Sequence, residues 1–320
     1  MKKLLAILMA LALVVCCFAA CGGGDDKPTG GDKTATPIPI EGNVIKIGVF
    51  EPATGENGAG GMQEVLGIRY ANSIAPTVTI DGTEYKIELV EVDNQSDKAA
   101  AVTAAQSLVS KKVAAVLGSY GSGVSIAAGS TFADNKIVAV GCSCTNPQVT
   151  ADNDFYFRVC FLDPFQGTVM ANYAQSQGAK TAAVINQNGD DYSTGLASYF
   201  KAAFEKNGTI AYEGTFNTNE TDFNAILASV KAANPDVIIV PSSIQTAGLF
   251  IKQAKEMGIT SKIMAGDTWE NATIIKNAGK ENCEGVAFST FFDENDDSGA
   301  AKEFETGFKE WLNADSQKLT

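Results

Sequence analysis

Three short segments hold the side chains best placed to do chemistry. They read Gly118-Ser119-Tyr120-Gly121-Ser122-Gly123, Gly141-Cys142-Ser143-Cys144-Thr145-Asn146-Pro147 and Ala265-Gly266-Asp267-Thr268-Trp269-Glu270. The first could turn backbone N–H groups and the Ser122 hydroxyl toward an anion at a helix start. It lacks the Gly-Lys-Ser/Thr ending of a phosphate loop and the spacing of a dinucleotide fingerprint, so a smaller anion such as a carboxylate fits it better. Ser122 could instead cap the helix that follows, and one serine can do both. In the second segment the Ser143 carbonyl and Thr145 hydroxyl could face a pocket while Asn146-Pro147 turns the chain, with a purely structural turn as the alternative. In the third, Asp267 could pair with an ammonium, a charged hydrogen bond contributing ~1.5–3 kcal/mol in a dry cleft. Its alternative use is as the cap of the next short helix.

Other chemistry is excluded. The 320 residues include no histidine, which removes a Ser-His-Asp triad, a Cys-His dyad and His-containing zinc sites. Cys142 and Cys144 have no ordinary base to form a thiolate, and two cysteines make a poor metal set, so neither metal nor cofactor is expected. The run Asp293-Glu294-Asn295-Asp296-Asp297 resembles a calcium loop only in charge, without the spaced glycine and closing glutamate. With 24 basic against 37 acidic residues the formal charge is −13, which makes nucleic acid and anionic membrane surfaces poor partners.

The elements that must position these segments alternate regularly. Strand patterns are predicted at 44–50, 85–92, 113–117, 137–140 and 156–160, with helices at 61–74, 98–109 and 122–134 between them. A second series places strands at 181–185, 210–216, 236–240, 262–265 and 285–291. Its helices fall at 165–177, 192–206, 222–233, 245–257 and 272–278, with a last one at 298–312. Ser96 or Asp97 should cap the helix at 98. Strands separated by helices imply parallel sheets with right-handed crossovers, and ligands bind beyond the carboxyl ends of such strands. Those ends here are rich in hydroxyls and helix starts and supply one or two carboxylates, a set suited to a small ligand with an anion and a cation. The length and the 45% apolar content fit two domains.

Residues 1–20 place Lys2 and Lys3 before a long apolar run ending in Phe18-Ala19-Ala20, the layout of a secretory signal. The junction resembles a bacterial lipobox, which makes Cys21 the expected lipidation site and residues 21–43 a flexible tether. A plain transmembrane helix is the alternative, though the run is barely long enough. Of the body cysteines, Cys142, Cys144, Cys160 and Cys283 could form two disulfides in three pairings or remain free thiols, and the sequence leaves both open.

Eight stretches in order resemble the substrate-binding proteins of branched-chain amino-acid ABC transporters. They are IKIGVFEPATGENGAGG, ELVEVDNQSDKAAAVTAAQSLV, VAAVLGSYGSG, AVGCSCTNPQVT, FYFRVCFLDPFQG, AAVINQNGDDYSTGLA, TDFNAILASVKAANPDVIIV and IMAGDTWENA, spanning nearly all of 44–292. The resemblance implies an α/β fold of two doubly wound parallel-sheet lobes, periplasmic binding protein-like type I, hinged to close on a ligand. Lobe one would comprise 44–161 plus 289–320, and lobe two 162–288. Ser122, flanked by Tyr120 and Gly121, matches the serine that takes the ligand's α-carboxylate. Ser143, Cys144 and Thr145 match the stretch presenting a carbonyl and a hydroxyl. Asp267 stands where the family carries an acid for the α-ammonium, and Tyr192 matches the lobe-two tyrosine.

The departures are also specific. Gly60 stands where relatives have Tyr or Trp, and Ser243 lies in Pro241-Ser242-Ser243 where another tyrosine is common. Both should enlarge the side-chain pocket and suit a bulkier or more polar ligand than leucine. Relatives also continue into a Tyr-Asp-Ala segment, so lobe one is expected to be incomplete by Thr320. The implied function is capture of an amino acid by a monomeric, lipid-anchored extracytoplasmic protein for delivery to an ABC permease, without catalysis. A same-fold sensor for an amide, urea or aromatic acid is the alternative.

Overall fold

The computed structural model describes residues 40, 42–293, 295–296 and 298–314. The expected signal, Cys21 and most of the tether lie outside the described residues. In chain order the elements are β1 (Val44–Glu51), α1 (Gly58–Ile74), β2 (Thr77–Ile80), β3 (Thr83–Asp93), α2 (Lys98–Ser110), β4 (Ala115–Leu117), α3 (Ser122–Asp134), β5 (Val138–Gly141) and β6 (Tyr156–Arg158). There follow α4 (Asp163–Ser176), β7 (Thr181–Asn188), α5 (Asp191–Phe204), β8 (Thr209–Asn217), α6 (Asn224–Ala233), β9 (Val237–Ile239) and α7 (Ile244–Glu256). The last are β10 (Lys262–Ala265), α8 (Ala272–Ala278), α9 (Lys280–Cys283), β11 (Ala287–Phe288) and α10 (Gly299–Asn313).

Two sheets result, in the orders β2-β3-β1-β4-β5-β6 and β11-β10-β9-β7-β8. β1 runs parallel to β3 and β4, and its last four residues are buried, as expected for a strand covered on both faces. Val49 turns to one face and packs with Val65 and Ile68 of α1. Phe50 turns to the other, into a cluster with Leu108 of α2 and Phe132 of α3. The second sheet repeats the arrangement. Ala183 and Ile185 of β7 join Phe223 and Phe250 on one face, while Ala182 and Val184 meet Phe200, Phe204 and Met264 on the other. Each fully buried large side chain contributes about 1.5–3 kcal/mol, so both lobes have their own core.

The alternation read from the sequence holds, with local differences. β2 lies antiparallel to β3, closing at Ile80↔Thr83, and is not among the strands the pattern predicts. Its four residues are all exposed, so no buried face gives it a periodicity. The turn is Asp81-Gly82, both at positive φ, a hairpin signal in its own right. The strand expected over 285–291 is reduced to Ala287–Phe288. Asp97 is the cap of α2, its carboxylate accepting from Ala99 N and Ala100 N at 2.9 and 2.8 Å.

Two crossings join the sheets, one between β6 and α4 and one between β11 and α10. They touch through stacked rings of Phe161 and Phe291, 4.1 Å apart. α10 then returns to the first lobe, where Phe304, Phe308 and Trp311 surround Tyr70 of α1. The sulfurs of Cys142, Cys144, Cys160 and Cys283 are all free thiols. Among the described residues no helix is long and apolar enough to cross a membrane.

Candidate functional site

Loops leaving the carboxyl ends of β1, β4, β7, β9 and β10 converge on one cavity of about 230 Å³ between the two sheets. Tyr120, Gly121 and Ser122 reach it from one sheet and Tyr192, Ser242 and Thr268 from the other.

On the first side, Gly121 is the N-cap of α3 and Ser122 its first residue. The Ser122 hydroxyl caps nothing. It accepts from Asn146 N at 3.1 Å, tying the 118–123 loop to the 142–147 loop. Arg158 anchors that second loop by donating from Nη1 to the carbonyls of Cys144 and Asn146 at 2.8 and 2.7 Å. Its Nη2 donates to the Pro147 carbonyl and to Thr150 Oγ1 at 3.2 and 2.7 Å. A planar guanidinium fork suits such a set of converging oxygens. Thr145 is fully buried, and its hydroxyl faces the Asp163 carboxyl. Ser143 Oγ donates to Glu64 of α1. The Cys144 side chain turns into the core beside Phe50 and Tyr156, so its thiol does not face the cavity.

On the second side, the Asp190 carboxylate caps α5 by accepting from Tyr192 N and Ser193 N. This fixes Tyr192 in the first turn, where its hydroxyl donates to Asp267 Oδ1 at 3.0 Å. Gln166 Nε2 donates to the same oxygen. Asp267 opens a short 3₁₀ turn whose N-cap is Gly266, and its side chain makes no cap bond. The cap alternative is therefore displaced by these two neutral donors. Ser243 is the N-cap of α7, accepting from Thr246 N, whereas its neighbour Ser242 lines the cavity. Ser243, the serine expected at the site, is therefore engaged as a helix cap.

Several contacts close the gap. Glu56 Oε2 accepts from Gln187 Nε2 at 2.8 Å, and Glu56 Oε1 from Asn219 N at 3.0 Å. Asn57 Oδ1 accepts from Ile244 N at 3.1 Å. Asn146 Nδ2 donates to the Asp191 carbonyl at 2.7 Å, an approach that Gly195 permits, since a Cβ there would stand 2.7 Å from that nitrogen. Lys98 pairs with the Asp191 carboxylate at 2.8 Å.

The site is more acidic than the strand ends suggested. Burial pushes Asp267 up to about 6, against the pull of the Gln166 and Tyr192 donors. Burial likewise pushes Asp163 up to about 7, countered by the Thr145 hydroxyl and reinforced by the charge of Asp267. Glu51 and Glu64 are both raised, first by burial, and Glu51 further by Glu64 beside it. The strand ends supply Glu51 and Asp267, and the helices add Glu64 and Asp163. Glu51 was legible as the last residue of β1. Glu64 and Gln166 sit inside helices and carry no local signal.

The family model described as "Periplasmic binding protein" matches residues 44–317. The chain belongs to the periplasmic binding protein family. Among its relatives, a Pseudomonas aeruginosa "Amino acid binding protein" is 34% identical over 229 residues, covering 70% of this chain and 60% of the relative. A solved leucine binding protein LivK from Thermotoga maritima is 34% identical, with a TM-score of 0.79 over 84% of this chain and 76% of that one. The branched-chain amino-acid transporter substrate binding protein LivJ from Streptococcus pneumoniae, solved with isoleucine, is 32% identical, with a TM-score of 0.77 over 84% and 78%. This periplasmic binding protein chain spans about 60% of the length of the first curated relatives it matches.

Within this member of the family, the space at Gly60 is not vacant. A Cβ built on Gly60 would lie 2.4 Å from Tyr120 Cζ, so the Tyr120 ring occupies the room that a side chain at 60 would take. The enlargement expected from Gly60 is corrected accordingly: an aromatic ring is present, supplied by another loop.

Proposed function

We propose that the protein captures an amino acid between its lobes and presents it to the permease of an ABC transporter. The observation that carries this reading is Asp267, a buried carboxylate held by two neutral side-chain donors, Tyr192 and Gln166. Such a group lacks a counter-charge, and an α-ammonium supplies one. Ser122, the first residue of α3, suits the α-carboxylate, with the Thr145 hydroxyl in the adjoining loop. Tyr120, Gly121, Ser143 and Tyr192 would complete the enclosure. The names of the relatives, an amino acid binding protein and leucine- and isoleucine-associated transport proteins, support the same class of ligand.

Capture is a closing equilibrium. A ligand that touches both lobes only when they are shut favours the shut state by its differential affinity. The protein would act outside the cytoplasm as a monomer, held by lipid on Cys21, with residues 44–161 and 289–320 as one lobe and 162–288 as the other. No reaction is part of the proposal. A thermal-shift screen of the protein against amino acids and small organic acids tests it. Ligand at ~100 times its dissociation constant adds ~2.7 kcal/mol. A shift with amino acids is expected. Shifts with only amides, ureas or aromatic acids would replace this reading by the sensor alternative.

A further inference from the structure

Glu51 and Glu64 form a second acidic centre behind the cavity wall, bonded to the Tyr120 and Ser143 loops, and the amino-acid reading leaves it unused. Glu51 ends β1 and is 1% exposed, with Oε2 accepting from Tyr120 N at 2.7 Å. Glu64 accepts from Ser143 Oγ, in the loop to which the ligand's polar end is assigned above. Glu51 Oε1 and Glu64 Oε2 are shut off from solvent, and the two carboxyls bond to each other when one holds a proton. One carboxyl oxygen from each, and Cys142 Sγ, lie within 4.8 Å of one another.

Glu64 lies on α1, near positions that touch groups lining the cleft. Gly60, one turn earlier, lies under the Tyr120 ring. Gln63 Oε1 accepts from Asn271 Nδ2 of the other lobe at 3.2 Å. The groups acting on Glu64 are Glu51, Ser143, Cys142 and, through space, Asp267, which are two further acids and two neutral donors. The basic side chains of adjoining segments are engaged elsewhere. Arg158 holds four loop oxygens, and Lys98 is paired with Asp191.

We propose that the side chain of the captured amino acid ends in a cation, ammonium or guanidinium, received by Glu64 with Glu51 behind it. The inference rests on the amino-acid reading and extends it to a substrate class. A buried carboxylate pair is costly unless a proton or a cation lies between its members, and a charge-assisted bond from the ligand supplies the cation. The Tyr120 ring over Gly60 adds an aromatic surface of the kind that favours cations. An organic cation suits the centre better than a metal ion. Burial and the two carboxylates raise the Cys142 thiol and keep it protonated, whereas a metal ligand must be the thiolate.

The test is titration calorimetry of the protein with isosteric pairs: lysine against 2-aminoheptanoate, ornithine against norleucine, 2,4-diaminobutyrate against norvaline, and arginine against citrulline. At least one cationic member should bind ten-fold or more tightly than its neutral counterpart. Glu64→Gln should bring that pair to within about two-fold. Neutral members binding as tightly as cationic ones overturns the proposal and leaves amino-acid capture standing. No binding by any member overturns both. Zinc or manganese alone binding to the protein and lost in Glu64→Gln, with no cationic preference, assigns the centre to a metal and overturns the proposal. If the variant does not fold, the isosteric comparison on the unaltered protein decides by itself.

Discussion

The Tyr192 hydroxyl donates to Asp267 Oδ1 at 3.0 Å, so the first turn of α5 holds an acid from the loop after β10. Gln166 on α4 donates to the same oxygen. Three elements of one lobe thus aim a single carboxylate. Removing it by Asp267→Ala should weaken amino-acid binding roughly 10–150-fold, the equivalent of one charged hydrogen bond of ~1.5–3 kcal/mol. Tyr192→Phe should cost less, about 2–12-fold, because a neutral donor contributes ~0.5–1.5 kcal/mol. Calorimetry orders the three proteins. Equal affinity for unaltered and Asp267→Ala protein removes the ammonium assignment.

The Glu56 side chain ties the lobes at two points, Gln187 Nε2 and Asn219 N. Both bonds span the two lobes, so their loss should shift the population toward open. Glu56→Ala should weaken ligand binding about 5–30-fold, from ~1–2 kcal/mol lost, with most of the change in the dissociation rate. Small-angle scattering of the ligand-free variant should show a larger radius of gyration than the unaltered protein. Unchanged scattering and unchanged dissociation would mean that these bonds do not govern closure.

Stability and binding should respond to pH in opposite senses. Asp163 is pushed up to about 7 and Asp190 and Asp267 to about 6, each chiefly by burial. A carboxyl with a raised folded value holds its proton where the unfolded chain has lost it, so acidification stabilises the fold. Each group should add about 1.4 kcal/mol per pH unit between its folded value and ~4. Asp236 acts the other way, since the Lys180 and Thr181 amides hold it below the ordinary range. Its contribution is present above ~4 and is lost as pH falls further. Thermal melts of ligand-free protein should therefore peak between about pH 4 and 6. Amino-acid affinity should rise as pH climbs through 6 and Asp267 ionises. A melting temperature that is flat or higher at pH 8 refutes the assignment.

The alternation of strands and helices was legible because burial imposes it: β1 and β7 must be apolar on both faces, and α2 needs Asp97 to start. The loops at 118–123 and 142–147 were legible because few residue types tolerate such turns. What the sequence concealed depends on three-dimensional neighbours. Gly60 reads as vacant space until Tyr120, sixty residues later, is seen to fill it. Glu64 reads as an ordinary helix position until Ser143 and Glu51 are found against it. Ser243 and Ser242 are indistinguishable until helix capping takes one of them.

Arg158 supports the 142–147 loop through three carbonyls and one hydroxyl. Arg158→Met keeps much of the volume but strands those acceptors, and an orphaned buried acceptor costs ~1–3 kcal/mol. Loss of about 2–5 kcal/mol of stability is expected, together with weakened binding, because Thr145 sits in the freed loop. Arg158→Lys should recover only part, since a single ammonium cannot span the set. Denaturant unfolding read beside calorimetry tests both effects. Full stability in Arg158→Lys would show that charge alone suffices.

Gly60 and Tyr120 should behave as one unit. A methyl at 60 meets the Tyr120 ring at 2.4 Å, and the ring is further held by its hydroxyl, which donates to the Thr268 carbonyl at 3.4 Å. Gly60→Ala must therefore expel the ring, at about 1–3 kcal/mol for an overpacked site. Tyr120→Ala alone leaves a hole and should cost a similar amount or more. In the double variant the methyl no longer clashes, so its stability should exceed the additive expectation by about 1 kcal/mol or more. Chemical denaturation of the four proteins closes the cycle. Strict additivity would mean that the ring does not occupy the space at Gly60.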